Sequence, residues 1–153
     1  MTTITSPAAE AVSSLNSLLR GELSAVDTYG LAIDKTEDSN VNRKRLETIR
    51  SNHREHVRFL EHAITTLGAE HAPGAGLWGA YTTLIEATAS LFGDAAALKA
   101  LKEGEEHGLK EYREALEGSE LPTEVRGTIT QQMIPAQQRH IESLDSLIAA
   151  IAN

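Results

Sequence analysis

The sequence predicts an all-α protein, a single bundle of four long helices, on three observations. Hydrophobic residues make up 41% of the 153 and are chiefly Ala, Leu and Ile, while aromatics are only 4%, the usage of helices rather than of sheets. Apolar positions recur with a helical period along four stretches. A connection of about 25 residues separates the second stretch from the third, whereas the other two connections are short turns. That asymmetry predicts two antiparallel hairpins joined by a long crossover, since an up-down-up-down bundle needs no such length.

Ser6-Pro7 opens the first helix with a capping hydroxyl and a proline at the first helical position, and Leu15, Leu18, Leu19, Val26 and Ile33 carry it over about 7–35. After the polar turn Thr36-Glu37-Asp38-Ser39-Asn40, the row Leu46, Ile49, Phe59, Leu60, Ala63, Ile64 and Leu67 predicts a second helix over about 41–67, stopped by Gly68. Pro73, Gly74 and Gly76 mark a loop, and Trp78, Tyr81, Leu84, Ile85 and Leu91 space a short amphipathic helix over about 77–92 within the crossover. Gly93 breaks it and Asp94 caps the third long helix, about 94–117. The turn Gly118-Ser119-Glu120-Leu121-Pro122 leads to the fourth, about 122–151. The whole of 1–153 reads as one domain.

The formal charge of -8, from 14 Lys+Arg against 22 Asp+Glu, repels phosphate backbones and anionic lipid, which argues against nucleic-acid and membrane partners. There is no cysteine, so any metal chemistry must use nitrogen and oxygen ligands. The N-terminus carries no cationic start followed by an apolar stretch, and no run reaches the ~18 apolar residues of a bilayer span; the expected location is cytoplasmic. No phosphate loop, nucleophile elbow or Ser-His-Asp arrangement supports a kinase or hydrolase.

The two halves repeat. Gly21-Glu22 followed by Tyr29 recurs as Gly104-Glu105 followed by Tyr112, 83 residues on (22 to 105, 29 to 112). Arg54-Glu55-His56 followed by Leu60 recurs in kind as Gln138-Arg139-His140 followed by Leu144, 84 residues on (56 to 140, 60 to 144). Alternating spacings of three and four then place six polar residues on inward rows: Glu22, His53, His56, Glu105, Gln137 and His140. Two buried carboxylates with three imidazoles require charge compensation, and a cation supplies it. His53-x-x-His56 and Gln137-x-x-His140 each put two side chains about one turn apart on one face, a chelating spacing. Gln137 is the weakest member, because an amide is a poor ligand.

At these residues the chain resembles the ferritin-like superfamily, whose metal site takes a Glu from the first and third helices and a Glu-x-x-His from the second and fourth. Within it the likeness is to an uncharacterised bacterial family of short four-helix bundles, from Leu15-Asn16 to His140. The resemblance implies Glu22 and Glu105 in the single-glutamate roles and His56 and His140 in the histidine roles. The sequence departs at the two bridging glutamates, where it has His53 and Gln137. Two negative charges hold two adjacent divalent ions poorly, so the set suits one transition ion or an atypical dinuclear pair, iron first, with zinc, copper or cobalt chemically admissible. The expected function is metal handling or oxygen and peroxide chemistry, with the question of catalysis left open. The alternative is a metal-free structural or stress-related interaction bundle whose histidines and glutamates bond to one another, and the third reading is a di-iron oxidase.

Tyr29 and Tyr112, roughly 10 Å along the helix from the glutamates of their own helices, read as core residues with a hydroxyl partner. Pro135 predicts a kink or a π-type bulge beside Gln137. His62, His71 and His107 read as surface residues. The stripe Arg50, Arg54, Arg58 and the run Arg43-Lys44-Arg45 read as solvated faces. Trp78 is expected to pack over the bundle, with contact to a second copy in a homo-oligomer as the alternative.

Overall fold

The structure is a computed structural model that describes residues 6–36, 41–71, 94–118 and 120–152. Helix α1 spans Pro7–Asp34, α2 spans Val41–Thr66 and α3 spans Asp94–Gly118. The fourth helix, α4, is α-helical over Thr123–Thr128, π-helical over Ile129–Met133 and α-helical again over Ile134–Ala152. All four expected long helices form, with ends within about two residues of those read from the sequence. The predicted crossover helix 77–92, with Trp78, lies outside the described residues. Among the described residues there is no strand, and no helix is long and apolar enough to cross a membrane.

Local chemistry sets the ends. Ser6 Oγ accepts the Ala9 N–H at 3.2 Å, with Pro7 at the first helical position. The C-terminus of α1 is closed from outside by Arg43, whose Nη1 donates to Thr36 O at 3.2 Å, and that of α3 by Arg126, which donates to Leu116 O at 2.9 Å. α2 ends in a Schellman turn: Ala69 N–H reaches Ile64 O, Gly68 N–H reaches Thr65 O, and Gly68 takes φ +80. Gly68→Ala is therefore expected to cost about 1–2 kcal/mol, the penalty of a Cβ in the left-handed region, and urea denaturation of the two proteins checks it.

The π turn of α4 sits where Pro135 removes a backbone donor. Ile134 N–H reaches back five residues to Ile129 O, so the helix widens by one residue just before the proline.

Cross-helix bonds give the helix directions. His53 of α2 meets Glu22 of α1 and Arg43 meets Thr36, so α1 and α2 are antiparallel. Glu105 meets His140 and Leu116 meets Arg126, so α3 and α4 are antiparallel. Tyr29 meets Glu105 and Glu22 meets Tyr112, so α1 also runs against α3. It follows that α2 and α3 run parallel, α2 ending where α1 begins and α3 starting at the opposite end.

The core is layered. One apolar cluster includes Leu15, Leu19, Leu60, Ile64, Tyr112, Ile129 and Met133, and another includes Tyr29, Ile33, Leu46, Ile49, Leu101, Leu144 and Leu147. On every helix the polar inward residues lie between the two. Ile151, in the last turn of α4, is 40% exposed.

Candidate metal centre

All six inward polar residues are buried in the layer between the two clusters: Glu22, His53, His56, Glu105, Gln137 and His140 are 2–8% exposed. The apolar clusters on either side bury this layer, and its polar groups turn mostly to one another.

His53 is the hub. Its Nδ1 lies 2.6 Å from Glu22 Oε2 and its Nε2 lies 2.7 Å from Glu105 Oε1. An imidazole that donates from both nitrogens is an imidazolium. Burial disfavours that charge, but the two flanking carboxylates outweigh it and raise the His53 pKa to about 10. The carboxylates respond in kind. Burial pushes Glu22 and Glu105 up, yet the His53 charge and the imidazole hydrogen bonds prevail; Glu105 falls to about 2 and Glu22 well below the usual carboxylate range. These three groups leave one net negative charge in the core.

Around this axis the repeat is visible as geometry. Each carboxylate meets a histidine of its own hairpin and a tyrosine of the other. Glu22 Oε1 is 3.4 Å from His56 Nδ1 and accepts the Tyr112 hydroxyl at 2.7 Å. Glu105 Oε2 is 3.3 Å from His140 Nδ1, and Oε1 accepts the Tyr29 hydroxyl at 2.6 Å. The tyrosines thus have the hydroxyl partners expected of them, but across the bundle rather than on their own helices. Burial and then the carboxylate charges push both phenols well above their usual pKa, so they act as donors. The Tyr29 ring stacks on His53, centroids 5.4 Å apart, which fixes the plane of the hub.

The pseudo-symmetry fails at one pair. Where His53 joins both carboxylates, Gln137 donates from Nε2 only to the Glu105 backbone oxygen, at 3.4 Å, and its Oε1 is buried with no partner. Gly108 makes room for it, because a Cβ there would come within 2.7 Å of Gln137 Nε2.

Asn52 was not among the residues singled out by sequence. Its Oδ1 lies 2.9 Å from His140 Nε2, so that nitrogen carries the proton. Burial, the largest influence, lowers the His140 pKa against the opposing pull of Glu105, whose Oε2 lies 3.3 Å from Nδ1. Periodicity gives no signal for Asn52: it sits one residue before His53, on the flank turned toward α4. Thr28 and Ser24 were missed in the same way; both are buried hydroxyls without a partner.

The surface assignments fare unevenly. His107 is exposed and pairs with Glu111 at 2.9 Å, and His71 lies 3.4 Å from Glu61. Arg50 departs from the solvated stripe, since its Nε donates to Val26 O at 2.9 Å and bridges α2 to α1. The guanidinium finds there a carbonyl on the adjoining helix that solvent does not supply.

Two sets of donors could hold a cation, Glu22-His53-His56 and His53-Glu105-His140, each with one donor atom per residue and those atoms within 4.8 Å of one another. They share His53. A family model described as a domain of unknown function (DUF2383) matches residues 10–118, a segment that contains Glu22, His53, His56 and Glu105 and stops before Gln137 and His140. No curated protein matches the chain, and no solved structure does.

Proposed function

Given that the chain belongs to the DUF2383 family, a domain of unknown function, we propose that it is a ferritin-like bundle whose core binds one divalent transition-metal ion, iron first among the candidates. Two antiparallel hairpins with α2 and α3 parallel match the one-crossover connectivity of that class. The observation that carries the metal reading is the pair of buried triads with a common histidine. A neutral imidazole has a single free nitrogen, so His53 serves one triad at a time, which supports one ion rather than two. Charge agrees: a divalent ion in place of the His53 proton neutralises Glu22 and Glu105, whereas a second would leave two uncompensated positive charges.

The triad favoured is Glu105, His140 and His53 Nε2. There Asn52 sets the His140 tautomer with Nδ1 toward Glu105, and Glu22 receives the remaining His53 N–H, the carboxylate support usual behind a ligating histidine. Gln137 Oε1, an oxygen otherwise unpaired, adds a donor on the same helix as His140. A redox ion with an open position would supply oxygen or peroxide chemistry; a closed shell would make the ion structural.

The 2.6 and 2.7 Å bonds of His53 to its two carboxylates favour a second reading, a metal-free bundle in which the network fixes helix register. Elemental analysis of the full chain separates the two. The metal reading expects close to one ion per chain, lost in Glu105→Ala and His140→Ala proteins that remain helical. Protein that is isolated metal-free and takes up neither Fe(II), Zn(II) nor Cu(II) would leave the structural reading, and two ions with oxygen consumption would favour a di-iron oxidase.

A further inference from the structure

The seam between α2 and α4 is open on the outside. A groove of about 350 Å³ there is lined by Lys44, Arg45, Thr48, Ile49, Asn52, Arg139, His140 and Ser143, a size in the range of small-molecule sites. Lys44, Arg45 and Arg139 are exposed on its rim. Among the described residues none of the three has an acid within ion-pair distance, although the chain carries a net charge of -8 and other cations are paired: Arg43 with Glu47 at 3.1 Å, Lys102 with Asp145 at 2.7 Å.

The fold does not explain these cations. Lys44 and Arg45 lie close to the start of α2, whose first turn has no acid, and positive charge at a helix N-terminus opposes the macrodipole. Their neighbour Arg43 does the structural work of closing α1. The walls of a concave, low-dielectric groove focus the field of charges gathered at its mouth.

We propose that this groove binds a small oxyanion of two or more negative charges, a phosphate or a polycarboxylate, held by Lys44, Arg45 and Arg139 with the Ser143 hydroxyl as a further donor. Three cations match a di- or trivalent ligand, and the groove's volume matches a small molecule rather than a polymer. The occupant lies against His140, so it would report on the buried centre from the outside. The inference rests on the groove and not on the metal reading, and its test uses chelator-treated, metal-free full chain.

Inorganic phosphate and citrate are titrated separately at low ionic strength, followed by calorimetry and by backbone amide shifts. The expected result is saturable one-site binding of at least one of them, with shifts clustered at 44–52 and 139–143, weakening as salt rises. Saturation by phosphate alone assigns a phosphate ligand, and by citrate alone a polycarboxylate. Lys44→Glu and Arg139→Glu should each weaken binding at least tenfold while the melting temperature and the metal content of untreated protein stay unchanged. Absence of saturation with both anions, or affinity indifferent to both substitutions, overturns the proposal.

Discussion

Replacing His53 by leucine is expected to cost the metal-free protein about 3–5 kcal/mol of folding stability near pH 6, the scale for a buried charge that loses its partner. His53 stands between Glu22 and Glu105 at 2.6 and 2.7 Å, and without it two ionised carboxylates face each other in a buried layer. Urea denaturation gives the loss as a lower midpoint at unchanged slope. Neutralising the acids as well, in a Glu22→Gln, His53→Leu, Glu105→Gln protein, should return much of it. A single variant as stable as the parent would remove the imidazolium from the description of this core.

The same network fixes a pH profile. The pKa of His53 rises from 6.5 to about 10 on folding, so its contribution is full below about pH 6.5 and is lost as pH climbs to 10. Glu105 is lowered from 4.5 to about 2, and Glu22 moves the same way; their contribution is present above about pH 4.5 and disappears as pH falls toward 2. Metal-free protein should be most stable between about pH 4.5 and 6.5. His53→Leu should lose the alkaline decline.

The second large effect is expected from the ion. At one hundred times its dissociation constant, an ion that binds only the folded chain adds about 2.7 kcal/mol, which for a protein of this length raises the melting temperature by about 5–10 °C. His140→Ala should abolish the shift. Asn52→Leu should retain every ligand yet weaken binding about 10–100-fold, because the His140 ring loses the partner that sets its tautomer. Equal shifts in Asn52→Leu and parent protein would transfer the site to Glu22, His53 and His56.

Much of this was legible in the sequence because helical periodicity fixes depth and direction together. The spacings around Glu22, His53, His56, Glu105, Gln137 and His140 placed all six inward, and the repeat placed them at one level. Pro135 announced an irregular turn, which formed as a π-helix over Ile129–Met133. What the pattern could not give is the offset between hairpins. Tyr29 reaches Glu105, and Tyr112 reaches Glu22, only because α1 and α3 pass each other at a particular height. Asn52 and Arg50 are settled the same way, by which carbonyl or ring happens to lie opposite on another helix.

The widened turn of α4 reconciles two unequal hairpins. Glu22 and His56 are 34 residues apart (56 minus 22), and Glu105 and His140 are 35 apart (140 minus 105). One surplus residue inside a regular helix swings everything beyond it through about 100°, enough to turn a histidine such as His140 out of the core. A single π turn swallows such a residue. With that turn in place, a hairpin one amino acid longer than its counterpart still returns its histidine to the carboxylate it faces.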